Sequence, residues 1–298
     1  MTTFTKPNRP LTWLVTGATS GFGESLCRLV LAGGHKLVAT SRDPSRNPDL
    51  AAEISAYGNG SRFIQLDVDD RNSGQVIESL EASGTGIDVL VNNAGYCIYA
   101  PVETAAEEEV RALMETLYFG PLRLIRAVVP HMRKRRYGVV VNISSGAALD
   151  GRDSMGLYAG AKAALDGISK VLAKEVAPFG IRTLTVTLGT FNTNFANATI
   201  VGKNPLPDDY KGSVAEQMIE IMSSGKLQPN GDKDKAMRAL YEVVIGEGAG
   251  KGREAERLLP LGCDMTLRVK GQLEYLSHAL EAFRDVTDYV AADKKGSV

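Results

Sequence analysis

The apolar run Leu11-Thr12-Trp13-Leu14-Val15-Thr16 passes directly into Gly17-Ala18-Thr19-Ser20-Gly21-Phe22-Gly23, and an amphipathic stretch, Glu24-Ser25-Leu26-Cys27-Arg28-Leu29-Val30-Leu31, follows. A buried strand that enters a helix through a glycine turn opens a βα unit, and such a turn offers backbone N–H groups to an anion at the positive helix end. Gly17 permits the tight turn, Gly21 lets the backbone approach a pyrophosphate, and Gly23 lets the helix close on the sheet. The spacing is Gly-x3-Gly-x-Gly, different from the Gly-x-Gly-x2-Gly of the common dinucleotide signature.

Beyond this unit, short apolar runs alternate with helical patterns. Strands are expected near Leu14 and over residues 37–40, 62–66, 89–92, 139–143, 182–187 and 258–261, with long helices over 107–135 and 155–177. That alternation predicts an α/β fold: a Rossmann-type, doubly wound parallel sheet of about seven strands with helices on both faces. Ligands of such sheets sit beyond the carboxyl ends of the strands. Residues 197–234 break the pattern with Gly, Pro, Asn and Asp around one amphipathic piece at 216–222, which suggests a lid carrying a short helix. A last helix over 265–289 precedes a polar tail.

A phenol and an ammonium four residues apart, Tyr158 and Lys162, share one face if residues 156–162 are helical. A cation beside a tyrosine favours the phenolate and moves the group toward acid/base work near neutral pH. Ser145 lies thirteen residues before the tyrosine.

Taken together, Thr16-Gly17-x3-Gly21-x-Gly23, Leu66-Asp67-Val68, Asn92-Asn93-Ala94-Gly95, Ser145 and Tyr158-x3-Lys162 resemble the short-chain dehydrogenase/reductase family in kind and order. The resemblance runs from about Leu11 to about Thr193 and recurs at 258–262. It implies one domain over residues 1–298: a cofactor-binding and catalytic core at 11–193, a substrate-binding lid region at 194–257, and a last strand, helix and tail at 258–298. It also implies a nicotinamide cofactor held by Gly17, Thr19, Ser20, Gly21, Phe22 and Gly23, with Asp67 and Val68 at the adenine. Asn93, Ala94 and Gly95 would lie beside the ribose, as cofactor contacts or as support for the sheet. Gly189-Thr190-Phe191-Asn192-Thr193 is similar to the family's Pro-Gly-x3-Thr turn, placing Gly189, Phe191 and Thr193 at the nicotinamide; Leu188 stands where the proline would be. Tyr158 would be the proton donor, Lys162 would lower its pKa and bind the ribose, and Ser145 would hydrogen-bond the reacting oxygen, with Ser144 as the competing serine.

Ser41-Arg42 follows the second strand where an acid would accept from the 2′-hydroxyl of NAD. An arginine there pairs with a 2′-phosphate, so NADP(H) is the expected cofactor, against which the adjacent Asp43 is the one objection.

One residue departs from the resemblance. Leu117-Tyr118-Phe119-Gly120 places leucine where the family commonly has an asparagine that holds a water relaying protons to the lysine. Losing that polar group should break or reroute the relay. The departure sustains an alternative, a bound nucleotide serving as template for isomerisation, dehydration or cyclisation, beside the main expectation of hydride transfer between a carbonyl and a secondary alcohol.

Composition closes off other classes. A formal charge of −1 in 298 residues gives no attraction to nucleic acid or anionic membranes. The basic run Arg133-Lys134-Arg135-Arg136 suits a helix C-terminus. Cys27, Cys97 and Cys263 lack metal-ligand spacing, as do His35, His131 and His278, so no metal site is expected. With no apolar leader or membrane span in the sequence, a soluble cytoplasmic protein is the expectation. Tyr96, Cys97, Ala147, Leu149, Met155, Met218 and Met222 are the candidate substrate contacts and suggest a mainly apolar small molecule. The resemblance extends in style to microbial and fungal oxidoreductases, some serving secondary metabolism, and implies a homodimer or homotetramer.

Overall fold

A computed structural model describes residues 6–191, 199–224 and 229–290. Its sheet has seven parallel strands: β1 (Thr12–Thr16), β2 (Lys36–Ser41), β3 (Arg62–Gln65), β4 (Val89–Asn92), β6 (Gly138–Ser145), β7 (Ile181–Leu188) and β9 (Leu258–Leu261), in the order β3-β2-β1-β4-β6-β7-β9. Two further short strands, β5 (Cys97–Tyr99) and β8 (Thr199–Val201), pair with each other outside it. The order reverses between β1 and β4, and a crevice opens there at the strands' carboxyl ends.

Helices cover both faces, as the alternation predicts. Successive strand residues face opposite ways, so Trp13 and Val15 join one apolar layer and Leu14 the other. The first layer packs α1 (Gly21–Ala32), α2 (Pro48–Ala56) and α9 (Lys233–Ile245) through Leu26, Val30, Ile54, Met237 and Leu240. The second packs α3 (Gly74–Ala82), α5 (Gly120–Arg135) and α7 (Gly156–Glu175) through Ile77, Leu80, Leu124 and Val128. Each such buried side chain contributes about 1.5–3 kcal/mol.

Three elements differ from expectation. The helix expected over 107–135 is interrupted: α4 (Glu107–Met114) and α5 are joined by a π-helical turn at Glu115–Phe119, where Gly120 comes so close to Val68 that an added Cβ would lie 2.9 Å from its carbonyl oxygen. Residues 194–257 include two helices of different kinds: α8 (Val214–Ser223) borders the cavity through Met218 and Met222, whereas α9 is a core helix whose Met237 and Leu240 are buried against the sheet. The C-terminal helix divides at Phe283 into α10 (Met265–Ala282) and α11 (Arg284–Tyr289), with α10 standing on the short α6 (Ala147–Asp150).

The closest approach of helix to sheet is at the first turn. A Cβ on Gly23 would collide with the Gly17 carbonyl and meet Asn93 Nδ2 at 2.6 Å. Gly23→Ala should therefore push α1 off β1, costing about 1–3 kcal/mol; a melting temperature equal to wild type would contradict this packing.

Candidate active site

The carboxyl ends of the strands enclose one long cavity of about 430 Å³. At one end lies the glycine turn. Gly17 and Gly21 hold positive φ angles of 68° and 59°. Ser20 precedes α1 in extended backbone and makes no side-chain cap, so the first-turn amides are left for another acceptor. Thr19, Ser20, Gly21 and Phe22 line the cavity with Gly17, whereas Gly23 is packed against the turn rather than exposed to it. Asn93, Ala94 and Gly95 line the cavity, and Asn93 also supports the turn: its Nδ2 donates to the carbonyls of Thr16 (2.8 Å) and Gly17 (3.2 Å), while its N–H and that of Ala94 donate to Thr16 Oγ1. Asn92 faces away from the cavity and donates to Asn142.

Next to the turn, Ser41 and Arg42 line the wall. The Ser41 hydroxyl is buried with no protein partner among the described residues. Asp43 lines the cavity as well, its Oδ1 accepting from the N–H and hydroxyl of Ser45 and closing the turn at Pro44–Arg46. Arg46 joins Arg42 in the lining, a second cation that the sequence did not single out. Asp67 and Val68 are there as expected, with Asp67 accepting from Asp69 N–H. Asp69 itself accepts from Thr116 Oγ1 at 2.8 Å, and burial pushes its carboxyl upward. An uncapped helix end, a glycine cradle, an unpartnered hydroxyl and two arginines together fit a phosphorylated dinucleotide.

The other end carries the chemistry. Ser145 ends β6, accepts from Ala147 N–H at 3.1 Å, and hydrogen-bonds Tyr158 on α7; Ser144 lies next to Asp166 instead. One turn along α7, Lys162 donates to the Ile143 carbonyl at 2.7 Å, its Nζ 5.7 Å from the Tyr158 ring centre. Burial, reinforced by Cys97, pushes the Tyr158 phenol well above its ordinary range, and the Ser145 hydrogen bond opposes this. Burial also lowers Lys162 from 10.5 to about 8, against the pull of Asp166 and Cys97. The groups acting on the phenol are Ser145, which favours the phenolate, and Cys97 and Asp166, which oppose it, while Lys162 turns toward Ile143.

Leu117 sits in the π turn, fully buried, with Cδ2 only 2.8 Å from where a Gly95 Cβ would be. That same point is 3.8 Å from Lys162 Nζ. Hydrocarbon therefore fills the space beside the lysine where a relay group would stand.

Gly189, Thr190 and Phe191 complete the wall beyond β7. Leu188 is an ordinary strand residue, paired with Ser145 and Leu261, so its N–H brings no disorder to the turn. Asp264 pins the loop by accepting from Thr190 N–H and hydroxyl, and Phe191 meets Phe22 edge-on at 5.3 Å. Thr193 lies outside the described residues. Tyr96, Ala147, Met155, Met218 and Met222 line the substrate end as expected. Cys97 does not: as a β5 residue it is buried behind the wall, its thiol directed to Ile98 O. Leu149 is exposed and outside the lining. Arg152 and Arg268 line that end too, and no local spacing announces either. Among the described residues no helix is long and apolar enough to cross a membrane, and no acidic, His or Cys cluster could hold a metal ion.

Residues 12–203 match the short chain dehydrogenase family profile. The chain belongs to that family. It is 39% identical over 188 residues to oxidoreductase claN of Passalora fulva, spanning 63% of this chain and 85% of that one. It is 37% identical over 242 residues to a 3-ketodihydrosphingosine reductase of Bacteroides thetaiotaomicron, 80% and 84% of the two chains. A solved short-chain dehydrogenase of Streptomyces avermitilis superposes with a TM-score of 0.83 at 32% identity, covering 96% of this chain and all of the other. Family members are oxidoreductases, and the cavity above is where this dehydrogenase places its serine, tyrosine and lysine.

Lys162 gives the apoprotein a pH dependence. Its folded pKa of about 8 lies below the unfolded 10.5, so the unfolded chain holds more protons between those values and stability rises with pH across that window; below about pH 8 the full penalty is present. Subtracting the profile of Lys162→Met from that of the wild type should leave an increment on the order of 2 kcal/mol rising from about pH 8 to 10. A flat difference would contradict the buried amine.

Proposed function

We propose that the protein is an NADP(H)-dependent oxidoreductase that interconverts a carbonyl and a secondary alcohol on a mainly apolar small molecule. The observation that carries this reading is the Ser145–Tyr158 pair opening into the same cavity as the glycine turn, with Lys162 beneath it. When bound, the cofactor supplies or accepts hydride at the nicotinamide C4. The chain does the rest. Tyr158 gives its phenolic proton to the carbonyl oxygen in reduction and takes it back in oxidation, while the Ser145 hydroxyl holds that oxygen. Among the described residues Lys162 donates to one acceptor, Ile143 O, which leaves donors for a ribose hydroxyl. A phenol held this high stays protonated at neutral pH, the form from which reduction starts.

NADP(H) is supported by Arg42 and Arg46, with one carboxylate oxygen of Asp43 engaged by Ser45. The Met-lined, apolar substrate end supports the substrate class, and a role in secondary metabolism rests on analogy with fungal relatives alone. The template alternative draws on Leu117, which seals the lysine from a relay. Losing such a polar partner costs about 1–3 kcal/mol, roughly a five- to 150-fold slowing, so sluggish turnover is the expectation rather than none.

A second copy of the chain is the expected partner. Helix α10 and the following turn expose Leu273, Leu276, Leu280 and Phe283 at alternating three- and four-residue spacing, the pattern of a helix-pairing seam. The flanking charges are Lys270 and Arg284 against Glu274, Glu281, Asp285 and Asp288, which gives an anionic membrane no hold.

With a carbonyl panel, NADPH should be oxidised and NADH bound about tenfold or more weakly; Arg42→Ala should remove that preference. Tyr158→Phe should lower kcat by about a hundredfold or more, and Leu117→Asn should raise it severalfold. Cofactor binding without oxidation in all of these proteins would support the template instead. For the assembly, light scattering should give a dimer or larger, and Leu276→Glu with Leu280→Glu a monomer; a monomeric wild type would contradict the seam.

A further inference from the structure

The charged lining of the cavity is divided by sign. Its carboxylates are Asp43, Asp67 and Asp69, all at the adenosine end. At the substrate end the charged groups are Lys162, Arg152 and Arg268, and no carboxylate among the described residues lines that half. Residues 192–198 and 225–228, outside the described set, contain no Asp or Glu.

The two arginines there are in different states. Arg268, on the first turns of α10, is 9% exposed and spent: Nε and Nη2 donate to Asp150 at 2.6 and 2.5 Å, and Nη1 donates to Asp264 at 3.3 Å. Arg152, in the loop between α6 and α7, is 37% exposed and among the described residues has one ion pair, to Asp264 at 3.7 Å. That oxygen, Oδ2, already serves Arg268 and the Thr190 hydroxyl. A guanidinium with five donors is left with one long, shared contact on the wall that also holds Met155 and Tyr99. Its charge reaches the Tyr99 hydroxyl, so it faces the cavity rather than only the solvent.

Resting on the oxidoreductase reading above, we propose that Arg152 is a specificity-determining residue that binds a carboxylate on the substrate, which is then an apolar carbonyl compound or alcohol bearing an acid group. A planar carboxylate matches the fork of one guanidinium. A phosphate dianion would call for a second uncommitted cation, and Arg268 is committed. The methionines, adaptable in shape, would hold the hydrocarbon between the acid and the reacting carbon.

Octanoate and octanamide are probes of equal bulk that differ in charge. By calorimetry on the full chain, with and without NADP+, octanoate should bind at least tenfold more tightly than octanamide to the wild type. Arg152→Gln should erase that difference and Arg152→Lys should restore part of it, with melting curves showing that both variants fold. In turnover, keto acids should exceed their methyl esters in kcat/KM, mainly through KM, and Arg152→Gln should lower the acid-to-ester ratio by roughly tenfold to a hundredfold. Equal binding of the two probes to wild type, or an acid preference kept by Arg152→Gln, overturns the proposal. Should neither acids nor esters be turned over, the oxidoreductase reading fails, and the calorimetry still decides the role of Arg152.

Discussion

A buried chain of amides and hydroxyls holds the catalytic helix to the sheet. Asn92 Nδ2 on β4 donates to Asn142 Oδ1 on β6 at 2.8 Å, Asn142 Nδ2 donates to Ser169 Oγ on α7 at 2.8 Å, and Ser169 Oγ donates to the Leu165 carbonyl. Lys162 adds a second tie from α7 to β6 through Ile143 O. Each such bond contributes about 1 kcal/mol, and breaking one to leave a buried group unpaired costs about 1–3 kcal/mol, so the chain favours one rotation and one height of the helix. Tyr158, one turn before Lys162, can then meet Ser145 at the end of the same strand. The geometry of the site follows from how α7 is bolted to β6.

The same desolvation that makes these ties specific sets the chemistry. Burial keeps the Tyr158 phenol neutral and lowers Lys162 to about 8, and Leu117 packs hydrocarbon against Gly95 on that side of the site. A neutral phenol next to a hydroxyl is suited to donate a proton into a developing alkoxide.

Much of this was legible in the sequence because it depends on short spacings. The glycine turn, the Tyr158–Lys162 pair and the strand runs are each local, and the parallel sheet follows from their alternation. What stayed hidden depends on contacts between distant parts of the chain. Arg268 meets Asp150 across 118 positions, and Asp264 meets Thr190 across 74, so neither registers as a motif. That Asp43 turns one oxygen to Ser45 while still lining the cavity shows only in the folded chain. Cys97 was misplaced because β5 pairs with β8, a partnership of three residues that no periodicity reveals. The π turn escaped because Glu115–Phe119 has good helical pattern, and the close approach of Gly120 to Val68 overrides it.

Isotope transfer tests the central claim most directly. NADPH carrying deuterium on the transferable C4 position would be incubated with the protein and a reducible carbonyl substrate, and the product analysed by mass spectrometry. Hydride transfer at the Ser145–Tyr158 pair predicts deuterium on the new carbinol carbon, in one stereochemical series, and loss of that label in Tyr158→Phe. Substrate converted to product while the deuterium stays on the nicotinamide would contradict it.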